Sequence, residues 1–369
     1  MNWVSNLESF FGVTLMEPTV SILWLNYNSS SFVNLAMESL NAVRKLEYSN
    51  YELIVVDNGS TDDSQITIKN FVEKINVNHK YMRLDKNLGF TGGNNVAYAS
   101  RNAECKYVVL LNSDAVPQSD SLRKLVDAME KDATLGAVQG VILDYNGRKI
   151  DTAGDFLSEI LVTYSLFEGK RPDSLRKPVY ITSADGAYSI YRVDAINKTM
   201  KQTNKMFDDF IFACYDDYSL GLRLWNSGFK VKTLPLITAK HKRGTSFRKV
   251  KPLLTYLYIR NWIILNEISN SRYRNLLRLL YFKQLSASFI SAIAKIKADP
   301  ASLEYSRILT RAVVDGMRIG STRKRLGERI NLYKAPVLPI DASAALSGFA
   351  ISLRLANMHA EKELKKIAC

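Results

Sequence analysis

Cysteine and histidine are scarce in this chain, and it has no long apolar run. Its 369 residues include three cysteines and three histidines. The cysteines (Cys105, Cys214 and Cys369) are far apart and odd in number, which fits neither a disulfide framework nor the usual zinc-ligand spacings. We therefore expect a reducing, cytoplasmic compartment.

Other familiar patterns are also missing. No stretch of about 18 uncharged apolar residues occurs, so a membrane-spanning helix is not predicted. Residues 1–17 have apolar positions without a basic flank or a long apolar core, which predicts a short amphipathic extension and not a signal peptide. The glycines match neither the P-loop nor the Gly-x-Gly-x-x-Gly spacing. The composition, 47% hydrophobic and 23% charged, is that of an ordinary globular protein.

Positive charge is concentrated in the C-terminal third. From residue 241 onward there are 24 Lys and Arg against 8 Asp and Glu, whereas the first 240 residues hold 26 against 28. Such asymmetry indicates that the C-terminal part faces an anionic partner, such as a membrane surface, a lipid diphosphate or nucleic acid. A solvated basic helical surface is the alternative.

Strand and helix patterns alternate over the first part of the chain. Apolar runs separated by helical spacings lie at residues 20–25, 53–56, 81–84 and 107–111. This β-α-β-α-β-α-β order predicts a parallel sheet with right-handed crossovers. Later strands are predicted at residues 138–143, 179–183, 188–191 and 229–233. Helices are predicted at residues 216–226, 253–268, 276–296 and 345–367, with breaks at Pro300 and Pro336.

Two strand ends carry residues that suit a nucleotide ligand. Asp57 follows a buried strand, where a carboxylate can accept hydrogen bonds from a base or a ribose. Turn and capping chemistry is the alternative for that position. Gly89 and the pair Gly92-Gly93 precede a predicted helix, where backbone N–H groups can approach a ligand, or where the chain simply needs a tight turn.

Three further positions suggest catalytic chemistry. Asp114 ends the fourth strand and suits Mg²⁺ or Mn²⁺, which prefer one or two carboxylates plus substrate phosphates; a strand-end turn is the alternative. Asp216 and Asp217 open a predicted helix and could supply a general base, although the helix macrodipole favours acids there regardless of function. His241 is a third candidate, but a lone histidine is more often structural than a ligand.

The order of these motifs resembles family 2 glycosyltransferases, especially their rhamnosyltransferase-like group. The resemblance covers residues 18–247. Its matching stretches are Asn26-Tyr27-Asn28, residues 55–62, residues 87–95, residues 110–114, Asp185-Gly186-Ala187, Tyr215-Asp216-Asp217, residues 222–224, residues 228–231 and His241.

The resemblance implies a fold, a reaction and a set of site residues. The fold would be GT-A, a Rossmann-like mixed sheet flanked by helices at residues 18–247, followed by a basic, mostly α-helical region at residues 248–369. The reaction would be the inverting transfer of a sugar from a UDP, dTDP or GDP sugar to a hydroxyl of a glycan or lipid-linked acceptor. The acidic pair Asp216-Asp217 would hold the base, and Asp114 with His241 would hold Mg²⁺ or Mn²⁺. The nucleotide sugar would be bound by Asn26, Tyr27, Asp57, Asn58, Asn87, Gly92, Gly93, Asn94, Asn112 and Ser113.

Two departures from the family pattern affect these roles. Ser113 stands where a proline or an acid is found, so the cation site depends heavily on Asp114. Asp216 replaces the more usual glutamate, which leaves the base open between Asp216 and Asp217.

The basic C-terminal region has two interpretations. Residues 272–282 combine arginines with leucines and aromatics, and such a helix can lie on an anionic membrane, which would suit a lipid-linked acceptor and a peripheral location on its cytoplasmic face. The rival is a helical bundle that packs on the catalytic domain or forms a homodimer. No nucleic-acid-binding motif occurs, so no nucleic acid partner is predicted.

A non-enzymatic function is the main alternative. The chain could be a catalytically silent protein that binds nucleotide sugars or scaffolds a membrane-associated assembly. Retention of Asp57, Asp114, the pair Asp216-Asp217 and His241 argues against this alternative.

Overall fold

The protein is described by a computed structural model, which covers residues 17–245, 251–295 and 300–340 together with residues 363, 364 and 366. The strands are β1 Val20–Asn26, β2 Tyr51–Asp57, β3 His79–Arg83, β4 Tyr107–Asn112, β5 Ala115–Pro117, β6 Leu135–Asp144, β7 Ile150–Thr152, β8 Asp155–Ser158, β9 Thr163–Ser165, β10 Val179–Tyr180, β11 Tyr188–Arg192, β12 Lys230–His241 and β13 Val337–Leu338. The α-helices are α1 Val33–Val43, α2 Ser64–Val72, α3 Gly89–Ala99, α4 Ser121–Lys131, α5 Val193–Thr199, α6 Asp216–Asn226, α7 Lys251–Ile268, α8 Arg274–Lys295 and α9 Pro300–Arg325.

A mixed sheet forms the centre of the fold, in the strand order β10-β12-β6-β11-β4-β1-β2-β3. Strands β1, β2, β3 and β4 run parallel, as the alternating pattern predicts. Strand β11 is antiparallel to both β4 and β6, and it makes the sheet mixed. The predicted mixed α/β sheet with a helical C-terminal region is therefore confirmed.

Both faces of the sheet are buried. Along β1, Leu23 belongs to one hydrophobic cluster, whereas Ile22 and Trp24 belong to the other. The same alternation occurs along β2, where Ile54 and Val55 lie in opposite clusters. Successive strand residues point to opposite faces. A strand that is buried on both faces therefore shows a continuous apolar run, which is how these strands are recognised in the sequence.

Strand β12 is much longer than predicted. The sequence pattern predicts an end at residue 233, but the strand continues to His241. Its pairing with β6 shifts register three times, between Lys230 and Val231, between Thr233 and Ile237, and between Ile237 and Ala239. Pro235 lies within the second of these irregularities. The alternation of inward-facing and outward-facing residues along β12 is therefore lost, although β12 stays paired with β6. The extension carries His241 to the position opposite Ala115 of β5.

Strand β10 is shorter than predicted and comprises only Val179–Tyr180. The backbone N–H of Ile181 still donates to the carbonyl of Val231 in β12, and the residues after Ile181 leave the ladder and make other contacts. Thr182 accepts a hydrogen bond from the backbone of Leu157, and Ser183 exchanges backbone hydrogen bonds with Asp155. A buried apolar run at this point therefore reflects a loop packed inside the protein.

The C-terminal helices share a core with the sheet region. Leu157, Tyr215 and Leu222 pack in one cluster with Ile264 and Ile268 of α7. Strand β13 also pairs with β8 of the sheet region. The proposed boundary at residues 247/248 thus crosses a continuous core. Among the described residues, no helix is both long and apolar enough to cross a membrane.

The basic segment at residues 272–282 packs within the protein. Leu277, Leu280 and Tyr281 are buried, and the guanidinium groups of Arg272 and Arg278 form ion pairs with Glu159 and Glu267. The other side of α8 remains exposed at Leu279, Phe282, Phe289 and Ile290. The predicted helix at residues 345–367 and the extension at residues 1–17 lie outside the described residues, except for residues 17, 363, 364 and 366.

Candidate active site

The carboxyl ends of three parallel strands meet at one edge of the sheet. Asn26 of β1 is in register with Asp57 of β2, and the preceding residue of β1 is in register with Asn112 of β4. Strand β11 adds a fourth element, because the backbone N–H of Asn112 donates to the carbonyl of Ala187. Ligands of open α/β sheets bind at this edge. The structure therefore brings most of the predicted site residues together.

Asn26 and Asp57 form a buried hydrogen-bond network. Both are 0% exposed, and the Asn26 amide donates to Asp57 Oδ1 over 2.8 Å. The backbone N–H of Ser60 donates to Asp57 Oδ2, and the Arg83 guanidinium lies 3.7 Å from the same oxygen. These bonds hold the turn after β2 against β1. Contact of Asp57 with a nucleotide base stays a prediction, whereas the neighbouring Tyr27 is exposed at the same edge.

Asn58 and Asn87 organise the start of α3. Asn58 donates to Asn87 Oδ1 and to the carbonyl of Gly89, and it accepts from the backbone of Leu88. The helix begins at Gly89, so Gly92 and Gly93 lie inside it and not before it as the sequence pattern predicts.

The glycines of α3 allow close packing. A Cβ at Gly93 would lie 2.5 Å from Leu25 Cδ1, and one at Gly92 would lie 2.6 Å from Leu88 Cβ. Asn94 is buried, and its amide donates to the carbonyl of Phe90 in the same helix. These residues explain the local structure, and their contact with a nucleotide sugar stays a prediction.

Asp114 and His241 are in direct contact. The Nε2 atom of His241 lies 3.1 Å from Asp114 Oδ1, and its Nδ1 atom lies 2.8 Å from Asp151 Oδ2. Thr245 donates its hydroxyl hydrogen to Asp114 Oδ2. Burial alone would lower the pKa of His241, but its hydrogen bonds to the two carboxylates outweigh burial and raise that pKa to about 10. Without a cation between them, the imidazole is therefore protonated.

The side chains of Asp114 and His241 fit a divalent cation that takes only some of its ligands from the protein. Within the described residues, no group of three or more His, Cys, Asp or Glu side chains is placed to hold an ion. Mg²⁺ is often bound through only one or two protein carboxylates plus substrate phosphates. Metal-binding histidines almost always donate their second ring N–H to a carboxylate or a carbonyl, and Asp151 is such an acceptor for His241.

The acidic pair lies at the start of α6, as predicted. Asp217 Oδ2 accepts a hydrogen bond of 3.2 Å from the backbone N–H of Gly186, which lies beside Ala187 at the same sheet edge. Asp217 Oδ1 is buried and has no hydrogen-bond partner within the described part of the chain. Burial, followed by the charges of Asp216 and Asp185, raises the pKa of Asp217 well above its ordinary value. Burial also raises the pKa of Asp216, to about 6.

Residues 206–215, which we call the acidic-pair loop, have an unusual backbone. Phe212, Cys214 and Tyr215 have positive φ angles of 69°, 66° and 63°. For residues with a side chain, this left-handed conformation costs roughly 1–2 kcal/mol each. The loop therefore needs outside support to present Asp216 and Asp217.

That support comes from α7 and α3. Asn261 donates hydrogen bonds to the carbonyls of residues 211, 213 and 214, and Arg260 donates to those of residues 210 and 211. The amide of Asn95 bonds with the backbone of Met206 and Phe207. Asn261 is 2% exposed, so its bonds are shielded from water.

Arg243 joins the two halves of the site. Its Nε atom lies 2.8 Å from Asp151 Oδ1, and a terminal nitrogen lies 3.3 Å from Asp185 Oδ2. Asp151 contacts His241, and the residue after Asp185 donates to Asp217. The charge of Arg243 is therefore used inside the site.

Sequence patterns did not identify several residues of this site. Asp151, Asp155 and Thr245 lie in short strands or turns without a periodic pattern. Arg243 lies in the turn after β12, where no strand alternation could place it beside His241.

The family follows from similarity to known proteins. The family described as "Glycosyl transferase family 2" matches residues 21–200. Residues 21–200 of the chain therefore belong to this family. The poly-beta-1,6-N-acetyl-D-glucosamine synthase of Staphylococcus epidermidis is 28% identical to it over 180 residues, which are 48% of this chain and 40% of that protein. An uncharacterized glycosyltransferase of Nostoc sp. is 29% identical over 154 residues, which are 41% of this chain and 46% of that protein.

The chain spans less than half the length of these two relatives. A solved structure of GalNAc-T7 with UDP, GalNAc and Mn²⁺ matches with a TM-score of 0.55 at 13% identity, over 85% of this family 2 chain and 58% of that one. At such low identity the likeness shows the fold, and it confirms the GT-A fold. The rhamnosyltransferase-like subgroup stays a prediction.

Replacing Asn261 should destabilise the protein. Asn261→Ala leaves the backbone carbonyls of residues 213 and 214 without their side-chain donor, whereas that of residue 211 keeps Arg260. Each unsatisfied buried group costs about 1–3 kcal/mol. We expect the free energy of unfolding in urea to fall by at least about 2 kcal/mol. Asn275→Ala, at an exposed position of α8, is the control and should change it by less than about 0.5 kcal/mol. Equal effects of the two substitutions would contradict the supporting role of Asn261.

Replacing Asp155 should alter the pH dependence of stability. Burial, followed by the charge of Asp185, raises the pKa of Asp155 to about 7. The unfolded chain ionises near its ordinary value of about 3.9, so the folded state loses stability as the pH rises from about 4 to about 7. Asp155→Asn escapes that loss, and its melting temperature relative to the wild type should increase between pH 5 and pH 8. Asp173→Asn, at an exposed carboxylate, should show a flat difference; a flat difference for Asp155→Asn as well would refute this assignment.

Proposed function

We propose that the protein is an inverting glycosyltransferase that moves a sugar from a nucleotide diphosphate sugar to a hydroxyl of a glycan or a lipid-linked acceptor. The family supports a glycosyltransferase in general terms. One observation carries the finer proposal. Arg243 connects Asp114 and His241, the residues proposed to hold the cation, with the acidic pair. One carboxylate oxygen of that acidic pair has no hydrogen-bond partner among the described residues.

The two halves meet two different needs of the reaction. In the transfer, the acceptor oxygen forms a bond to the anomeric carbon as the bond to the diphosphate oxygen breaks. The acceptor proton passes to a carboxylate, and the nucleoside diphosphate leaves with the bonding electrons. Mg²⁺ or Mn²⁺ held by Asp114 and His241 would offset the charge that develops on the diphosphate.

Asp217 is the better candidate for the base. Its buried Oδ1 atom has no hydrogen-bond partner among the described residues, and such an atom is costly unless a ligand supplies a hydrogen bond. An acceptor hydroxyl would supply that bond before it gives up its proton. The raised pKa of Asp217 also makes it a stronger base than an ordinary aspartate.

For the sugar donor and the cellular location, we propose only a class of molecule and a general compartment. A protein of the same fold binds UDP and Mn²⁺, which supports a UDP, dTDP or GDP sugar as the donor and a divalent cation as the cofactor. We propose a cytoplasmic protein, peripheral on an anionic membrane, with the exposed apolar side of α8 as the contact. A homodimer through the same side of α8 is the competing arrangement.

Nucleotide sugars should stabilise the protein in a cation-dependent way. At 100 times its dissociation constant, a ligand adds about 2.7 kcal/mol to the stability of the folded state. We expect at least one of the UDP, dTDP and GDP sugars to raise the melting temperature with Mn²⁺, and to do so much less with EDTA. Asp114→Asn should remove the effect of Mn²⁺, whereas Asp120→Asn at an exposed carboxylate should keep it. If no nucleotide diphosphate sugar produces a cation-dependent shift, both the enzyme and the silent-binder hypotheses fail.

Asp217→Asn should abolish turnover. Water can replace the acceptor, so the release of nucleoside diphosphate from the stabilising donor can be measured without knowing that acceptor. Loss of a general base lowers the rate about 10²–10⁴-fold. We expect that loss for Asp217→Asn while the donor still raises the melting temperature. The wild-type rate should also increase as the pH rises through the raised pKa of the acidic pair.

Asp216→Asn distinguishes the alternatives for this step. A loss of rate confined to Asp216→Asn would move the base assignment to Asp216. No donor hydrolysis by the wild type, together with donor binding, would favour the catalytically silent binder.

A further inference from the structure

A second cavity lies behind the acidic pair. It encloses about 250 Å³ between α7, α8 and α9, and the side chain of Tyr215 forms part of its wall. The described residues that line it carry no charge, and five of them are aromatic: Tyr215, Tyr258, Trp262, Tyr281 and Tyr305. Ligand pockets are usually lined in this way, by apolar and aromatic side chains.

The cavity is close to the base. Tyr215 directly precedes Asp216, and its ring stands at right angles to that of Tyr258, with 6.0 Å between the ring centres. A molecule in this cavity would therefore contact the ring of Tyr215, the residue directly before the acidic pair.

Two of the aromatic side chains that line the cavity already use their polar atoms in hydrogen bonds to the backbone. The Tyr215 hydroxyl donates to the carbonyl of Leu161, and the Trp262 indole N–H donates to the carbonyl of Ile160. These two rings consequently offer apolar surface to the cavity. A diphosphate would find no cation among the described lining residues, so it does not suit the cavity.

We propose that this cavity binds the apolar group attached to the acceptor, either a hydrocarbon chain or an aromatic ring that adjoins its hydroxyl-bearing part. The inference rests on the proposed transfer reaction, because the wall residue Tyr215 directly precedes the acidic pair of that reaction. Burying apolar surface would then hold the hydroxyl close to Asp217, at about 25 cal/mol for each Å² removed from water. Acceptors with such a group are preferred over free sugars.

Binding of an uncharged apolar probe tests the cavity itself. We expect the fluorescence of N-phenylnaphthylamine to rise on binding the full chain, and octyl glucoside or phenyl glucoside to displace it while glucose does not. The stronger competitor tells whether a chain or a ring fits better. Displacement by glucose at the same concentrations would overturn the apolar assignment.

Matched tryptophan substitutions locate the probe. Gln284 lines the cavity and is partly exposed, so Gln284→Trp should fill the opening and weaken probe binding at least about tenfold, which is about 1.4 kcal/mol. Tyr305 also lines the cavity, so Tyr305→Trp is a second variant that should weaken probe binding. Ser286→Trp lies two residues further along α8 at an exposed position and should leave binding unchanged. Equal probe binding by Gln284→Trp, Tyr305→Trp and Ser286→Trp would overturn the proposal.

The cation-dependent increase in melting temperature with nucleotide sugars distinguishes a failure of the cavity proposal from a failure of the proposed transfer reaction. If that shift occurs and the probe does not bind, only the acceptor cavity is wrong. If the probe binds and no nucleotide sugar causes a shift, the transfer reaction is wrong, and the cavity belongs to another function.

Discussion

Hydrogen bonds from α7 to the acidic-pair loop are the contacts on which the site depends. The loop contains three residues with left-handed backbone conformations, which would be unfavourable in isolation. Five hydrogen bonds from Arg260 and Asn261 offset that cost and leave the loop in one shape. The helical C-terminal region is therefore part of the site, and it would be misleading to regard it as an appendage to a catalytic domain.

Charge balance is the second constraint. Four carboxylates, those of Asp155, Asp185, Asp216 and Asp217, repel one another in a buried region. Arg243 is the cation that two of the site's carboxylates share, since it bridges Asp151 and Asp185. Burial, followed by the charges of Asp216 and Asp185, raises the pKa of Asp217, and no cation in the described ion pairs lies beside it to offset them. A group of acids with too little positive charge is a common way to obtain a base that works near neutral pH.

Sequence reasoning was most successful where structure is local. The four parallel strands, the start of α6 at Asp216 and the general α/β class follow from apolar runs and periodicity. It failed where strand pairing overrides the sequence pattern, as in β12, which stays in the sheet despite Pro235 and three register shifts. The glycine pair in α3 was misplaced because a helix with close neighbours needs small residues just as a loop does.

The sequence by itself determined the order of elements, the family and the residues that are chemically able to act, because these depend on residue type and spacing along the chain. Tertiary structure decided which of them meet. Asp114 and His241 are 127 positions apart, and Asp151 is 90 positions from His241, yet strand pairing places them within hydrogen-bonding distance. The same applies to Asn261, whose amide reaches the acidic-pair loop only because α7 packs on it. Contacts between distant residues depend on register and packing, and no local pattern encodes either of them.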